Sequence, residues 1–483
     1  MNLKFQIISA ALISLLLGSC GNGIQKEQVS GQSLEVSSSE RPNILFIMVD
    51  DLGWHDIGAY GERDIDTPNL DQLAKQGMLF TNAYASAPVC SPSRAGAITG
   101  ISPARLGLTN HISRQHFAPE KAVWLDAETA LSLPNSAVTF AEVLKEQGYA
   151  TGFFGKWHLS LIQSNSAKVT DPSTLPEAQG FDVNIGGGAF GGPPSWWSPY
   201  KNPYITDGEK GEYLPTRLVD EVVSFMSEQK DKKSPFLAVM WNYLVHSPLK
   251  APADLLAKYE QRSNEGKNVG LPVYAAMIEA MDTSVGKVLK SLKNLNLAQD
   301  TLVVFTSDNG GVWKLADNGG LQFGKGWPYE GGVRVPLIIK WPGKIEADST
   351  QAETVINTDF FPTFLDVASA AVPKDIPLEG ESLLPLLTNT GSLQRDAIFF
   401  HYPNYAWHAK NRLGGAVISN QFKLIQWYDD DSVELYNLAD DPYESNDLAN
   451  AKPKLTKQLK KKFNQWLTDS KAKMPIKSPA SKQ

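Results

Sequence analysis

Apolar and polar positions follow two different rhythms along this chain, and the change from one to the other divides it. Residues 42–51, PNILFIMVDD, are an unbroken apolar and β-branched run closing on two carboxylates. Such a run predicts a buried parallel strand that presents Asp50 and Asp51 at its C-terminal end. Thr67-Pro68 opens a helix that Gly77 stops, with Thr at the cap and Pro at the first helical position. Helical spacing over 136–147 predicts another helix, stopped by Gly148, and YATGFFGKWHL then reads as a strand with a polar tip. TRLVDEVVSFMSEQK predicts a helix and PFLAVMWNYLVHSP a strand running into a loop with His246. VYAAMIEAMDTSVGKVLKSLKNL predicts a long helix, and TLVVFTSDNGG a strand ending at Asp308 and Asn309.

This alternation predicts an α/β fold with a large, mostly parallel sheet covered by helices on both faces. Ligands in such sheets collect at the carboxyl ends of the strands. Asp50, Asp51, Lys156, His158, His246, Asp308 and Asn309 all fall at predicted strand ends, so four strands point to one site. From about Ser392 the rhythm shortens to AIFFHYP, GAVIS, FKLIQW and VELYNL, followed by a helix over 453–469. The expectation is a main α/β domain over 42–391 and a small antiparallel β subdomain with a terminal helix over 392–483. The glycine-rich stretch IGGGAFGGPPSWWSPY has neither a P-loop lysine nor a Rossmann setting and reads as a loop.

Composition changes this picture little: 42% apolar and 20% charged residues in 483 suit a globular protein with a sizeable core. The net charge of -7 argues against nucleic acid as a partner, and an anionic substrate would need local cations. The N-terminus carries Lys4, then an apolar run from Ile7 to Leu17 that is short for a membrane span. It ends in Leu17-Gly18-Ser19-Cys20, which resembles the lipobox of bacterial lipoprotein signal peptides. That resemblance implies a signal peptide over 1–19, lipidation of Cys20, and export to a bacterial membrane on its periplasmic side or at the cell surface. Residues 20–41 are polar and read as a tether. Cys90, the second of two cysteines, is then left without a disulfide partner. Around it the chain reads CSPSRAGAITG, in which Ser91 can cap a helix, Pro92 begin it and Gly100 stop it. A helix N-terminus with Arg94 one turn on favours an anionic reacting group.

CSPSRAGAITG resembles the signature of the type I, formylglycine-dependent sulfatases of the alkaline-phosphatase-like superfamily, through Cys90, Pro92, Ser93, Arg94, Ala95, Thr99 and Gly100. PNILFIMVDDLGW, GKWHL, HSP, TSDNGG, KGWPYEGGVRVP and ELYNLADDPYESNDLA match further segments of that family in order, so the resemblance spans about residues 41–450. One departure is GWPY, which replaces a more polar stretch between Lys325 and Glu330 at the mouth of the site.

The resemblance implies that a maturase oxidises Cys90 to Cα-formylglycine. Asp50, Asp51, Asp308 and Asn309 offer only oxygen donors, which selects a hard cation such as Ca²⁺ or Mg²⁺. By resemblance these four, with the modified Cys90, hold one Ca²⁺ per chain. One hydroxyl of the hydrated aldehyde would attack sulfur, and the second would let sulfate leave by elimination. Arg94 would hold the hydrated aldehyde, Lys156 and Lys325 would clamp sulfate oxygens, and His246 and His158 would serve as acid and base, roles the residues alone leave interchangeable.

His111, Arg114, His116, Trp197, His408 and Arg412 are candidates for contacting the sugar. The expected function is hydrolysis of sulfate esters on a polysaccharide or its oligosaccharides, such as an ulvan, a galactan or a glycosaminoglycan. The alternatives are a phosphonate or phosphate ester hydrolase on the same scaffold, and a glycan-binding lipoprotein with a disabled site.

Overall fold

The computed structural model describes residues 41–113, 115, 117–161, 168–408 and 411–479. Its main sheet has eight strands: β1 (Asn43–Val49), β2 (Met78–Phe80), β3 (Ala150–Gly155), β4 (Val183–Ile185), β5 (Phe236–Trp241), β6 (Thr301–Ser307), β7 (Leu337–Lys340) and β8 (Ser349–Gln351). In space they run β8-β2-β7-β6-β1-β5-β3-β4. Only β7 is antiparallel to its neighbours, so the expected mostly parallel sheet is what forms.

Central strand β1 is buried along its whole length. Its alternate side chains feed two separate cores, as the pleat requires. Ile44, Phe46 and Met48 pack in one, and Leu45, Ile47 and Val49 in the other. The first core lies under α2 (Cys90–Thr99), α3 (Phe140–Glu146) and α6 (Phe360–Val367), and the second under α1 (Pro68–Lys75), α4 (Leu214–Lys232) and α5 (Pro272–Asn294). Phe46 meets Phe360 at 5.0 Å, Phe364 at 5.4 Å and Phe140 at 6.2 Å, all edge-on, the favoured aromatic geometry.

At two helix starts the capping bears on the sequence expectation. α3 begins at Phe140, four residues beyond the expected start, because Thr139 and Glu142 form a reciprocal capping box. At α1, Thr67 occupies the cap position, but its hydroxyl accepts the Gly58 N–H and donates to Asp71. The free N–H groups of Asn69 and Leu70 are taken instead by Asp282 of α5.

The C-terminal rhythm becomes a four-stranded antiparallel sheet, β9 (Ile398–Tyr402), β10 (Gly414–Ser419), β11 (Phe422–Trp427) and β12 (Val433–Asn437), in sequential order. Helix α7 (Pro453–Asp469) covers one face through Leu459, Phe463 and Leu467. The other face packs Phe400, Ile418 and Trp427 against Tyr84, Trp327 and Tyr329. Among the described residues no helix is long and apolar enough to cross a membrane.

Sheet register positions the chemistry. Val49 pairs with Ser307, Met48 with Trp241, and Gly155 with Trp241. Asp50, Asp308 and Lys156 each follow immediately on one of these strand ends and therefore emerge side by side.

Candidate active site

Helix α2 begins at Cys90 itself, with Val89 as its extended N-cap. Ser91, expected as the cap, lies inside the helix, and its hydroxyl accepts the Ile112 N–H at 3.0 Å. Gly100 ends the helix in the left-handed conformation (φ 68°), as expected. Every residue of α2 is buried. Its small side chains permit this: a Cβ on Gly96 would fall 2.2 Å from Ser86 Oγ. Cys90 Sγ points to the strand ends, 3.6 Å from Asp50 Oδ1 and 4.0 Å from Asp51 Oδ1.

Three buried carboxylates face three cations there. Arg94, one turn past Cys90, donates through Nε to Asp308 Oδ2 at 2.9 Å and through Nη1 to the Lys156 carbonyl at 2.8 Å. Its guanidinium lies over the Trp241 ring, 5.2 Å from the centroid. Lys156 Nζ donates to Asp50 Oδ2 at 2.6 Å, and Lys325 Nζ to Asp51 Oδ2 at 2.7 Å. Asp51 adopts φ 61°, a left-handed conformation that aspartate tolerates better than most residues, and its N–H reaches Asp308 Oδ1 at 3.2 Å.

Burial raises the Asp50 carboxyl well above the usual range, and Asp308 adds to the rise. Asp51 feels the same burial, but Lys325, His246 and Lys156 outweigh it and hold it below the usual range. Burial likewise opposes ionisation of Asp308, yet Arg94 keeps it low. Burial alone would lower Lys325, and Asp51 raises it well above an ordinary lysine.

Asp50, Asp51, Cys90 and His246 form a group whose ligand atoms lie within 4.8 Å of one another. Asn309 Nδ2 donates to Asp51 Oδ1 at 2.8 Å, while its Oδ1 is buried without a hydrogen-bond partner. An unpartnered amide oxygen beside three buried carboxylates fits a hard divalent cation. Asp308, the remaining expected oxygen donor, accepts from Arg94 through Oδ2 and from the Asp51 N–H through Oδ1.

Two histidines complete the centre, and backbone carbonyls set their tautomers. A carbonyl only accepts, so a ring nitrogen bonded to one carries the proton. His246 Nδ1 lies 2.7 Å from the Ser247 carbonyl, which leaves Nε2 as its working atom, 3.6 Å from Asp51 Oδ2. His158 is bonded through Nε2 to the Ile112 carbonyl at 2.9 Å, so its Nδ1 carries a lone pair, buried and without a partner. Burial pushes His158 well below an ordinary histidine, helped by Lys156. It also lowers His246, where Asp50 and Asp51 pull partly back.

Above these groups opens a cavity of about 780 Å³, lined at its base by Cys90, Asp51, His158, His246 and Lys325. A profile of the sulfatase family matches residues 42–370, and one for the C-terminal region of N-sulphoglucosamine sulphohydrolase matches residues 320–472. The chain belongs to the sulfatase family. It is a sulfuric ester hydrolase. A sulfatase of Formosa agariphila is 30% identical over 90% of both chains, and the N-acetylgalactosamine-6-sulfatase of Canis lupus familiaris is 34% identical over 74% of this chain and 68% of its own. The crystal structure of Ps i-CgsB in complex with k-i-k-neocarrahexaose aligns with a TM-score of 0.74 at 30% identity, covering 89% of this chain and 93% of that one.

The candidate sugar contacts of this sulfatase scatter. His111 lines the cavity, but burial and the two lysines push it down to about 4, so it is neutral there. Arg114 and His116 lie outside the described residues, as does Cys20. Trp197 is not at the cavity: it packs on Tyr213 at 5.5 Å, while Trp196 is buried and donates to the Pro248 carbonyl. Arg412 is also elsewhere, over the Trp427 ring and ion-paired with Asp429 and Asp430. His408 stacks on Trp327 at 4.7 Å, and its sequence neighbour Trp407 is the residue that reaches the cavity. Gly191 and Gly192 of the glycine-rich loop line it as well. Nothing in their local pattern distinguished Trp407 or these two glycines.

Proposed function

We propose that this sulfatase removes sulfate from a glycan, with Cys90 oxidised to formylglycine and Ca²⁺ held by Asp50, Asp51, Asp308 and Asn309. The observation that carries it is Cys90 at the start of a buried helix, facing an oxygen-donor cradle beneath a cavity of sugar size. The hydrated aldehyde supplies the attacking oxygen and a second hydroxyl through which sulfate is released. The cation, when bound, offsets negative charge gathering on the sulfate.

The chain's own groups divide the remaining work. Arg94 keeps Asp308 ionised and oriented towards the Asp51 backbone. Lys156 and Lys325, each within 2.7 Å of a carboxylate oxygen at the base of the site, would clamp sulfate oxygens. Charge, not tautomer, favours one assignment of the histidines, since each keeps a ring N–H on a backbone carbonyl. His158, neutral and with a bare Nδ1, takes the proton whose loss frees the sulfate. His246, with Asp50 and Asp51 favouring its protonated form, gives the proton it would hold at Nε2 to the leaving alcohol. Cys90 is 2% exposed, so a maturase must reach it before this helix is enclosed. The N-terminal sequence supports export and anchoring through a lipidated Cys20.

Mass spectrometry of the tryptic peptide ending at Arg94, after co-expression with a maturase, should show the aldehyde in place of the thiol. Release of free sulfate from sulfated oligosaccharides should follow that conversion and stop on chelation. Full activity with the thiol intact, or after chelation, would refute the proposal.

A further inference from the structure

The sequence departure GWPY has a structural counterpart. Trp327 is sandwiched between Phe323, at 4.3 Å and 18°, and His408, at 4.7 Å and 13°. This three-ring stack joins the segment that carries Lys325 to the loop between β9 and β10. Asn411 of the same loop donates to the Gly326 carbonyl and accepts the Ala406 N–H. The loop so fastened carries Trp407 at the cavity wall, with 43% of its surface exposed. Its ring packs edge-on against His111 and Phe117, at 6.1 and 6.5 Å, and the Lys325 ammonium lies 5.5 Å from its centroid.

Trp407 is one of the large apolar side chains that the described residues leave exposed. Here it stands in the same cavity as Cys90, with Lys325 over the ring and His111 and Phe117 packed in T-shaped contacts, so its remaining exposed surface is available for a flat ligand face. Charge decides which ligand. Among the described lining residues Lys325 is the only lysine or arginine, it is engaged with Asp51 and assigned to the sulfate, and His111 is neutral. The rest of the wall includes Phe117, Leu161, Val312 and Leu315. A second anion on the leaving group would meet no free described cation there.

We propose that Trp407 is the platform on which an uncharged pyranose ring of the leaving group stacks, and that the Phe323–Trp327–His408 stack holds it in position. This rests on the glycan reading above. It makes the aromatic loop of the C-terminal sheet a determinant of which sulfated sugar is accepted.

The test uses the full, processed enzyme. Trp407→Ala should raise KM for a monosulfated neutral oligosaccharide at least about tenfold, the loss expected when a ring face is no longer covered. Its loss in kcat/KM on that substrate should exceed its loss on a short alkyl sulfate by a similar factor, and Trp407→Phe should recover part of it. His408→Ala should shift KM in the same direction and add little to Trp407→Ala; a merely structural role would lower the melting temperature without changing the ratio between substrates. Wild type should prefer the neutral oligosaccharide to a uronate-bearing one by about tenfold or more. Unchanged KM in Trp407→Ala, equal losses on both substrate types, or preference for the uronate would overturn the platform while leaving glycan hydrolysis intact. Turnover of alkyl sulfates with no saccharide accepted would overturn both readings.

Discussion

Lys423, on β11, is fully buried between two carboxylates: its ammonium donates to Glu330 Oε1 at 2.9 Å and lies 2.9 Å from Glu444 Oε1. Glu330 also accepts the Tyr84 hydroxyl, and its N–H donates to Glu444 Oε2 at 2.7 Å, so one cation ties the C-terminal sheet to the segment that follows Lys325. Each contact is worth roughly 6 kcal/mol of gross attraction at an effective dielectric of about 20, most of it cancelled by dehydration. Lys423→Met keeps the volume but strands buried carboxylate charge, a loss of about 3–5 kcal/mol. Spread over the described chain, that lowers the melting temperature by roughly 3–5 °C.

Glu444 is pushed up to about 8 by burial and by Glu330 despite Lys423. Its raised value means that the folded state holds a proton which the unfolded state gives up near 4.5. Its contribution to stability is therefore complete below about pH 4.5 and fades as pH climbs through about 8. Glu444→Gln should flatten the stability profile between pH 5 and 8, and Lys423→Met/Glu444→Gln should regain much of the single-variant loss. Scanning calorimetry at several pH values reads all three variants. A loss under about 1 kcal/mol in Lys423→Met, or a double variant less stable than the single, would refute the account.

Two further outcomes follow from the active-site geometry. A Cβ at Gly192 would sit 2.7 Å from the Ser247 carbonyl and 3.1 Å from His246 Nδ1. Gly192→Ala should therefore disturb the bond that fixes the His246 tautomer and lower kcat by about tenfold or more, with a much smaller change in melting temperature; unaltered kinetics would show that the loop does not position the ring. His246→Gln should slow alkyl sulfates by roughly 10²-fold or more, but aryl sulfates far less, because a phenolate leaves without a proton; equal slowing of both would argue against the acid role.

The cluster at the strand ends was legible because its members obey local rules. The apolar runs before Asp50, Lys156 and Asp308 can only be buried strands, and in a parallel sheet their ends converge. The C-terminal rhythm and its helix over 453–469 were equally plain, since period-two and helical spacing are written in neighbouring residues. Helix starts were less so: Thr67 and Ser91 sit in cap-like positions, yet each hydroxyl is claimed by a backbone N–H from another part of the fold.

The chain alone thus determined a mostly parallel α/β sheet, a cysteine at a helix N-terminus, and the oxygen-rich set of donors facing it. Tertiary structure decided which histidine nitrogen carries a proton, that Arg412 is captured by Asp429 and Asp430, and that Trp407 rather than His408 reaches the cavity. Except for the His246 contact with its sequence neighbour Ser247, those outcomes depend on carbonyls, carboxylates and rings brought from other segments. No periodicity encodes such meetings, because each is set by how the two sheets pack.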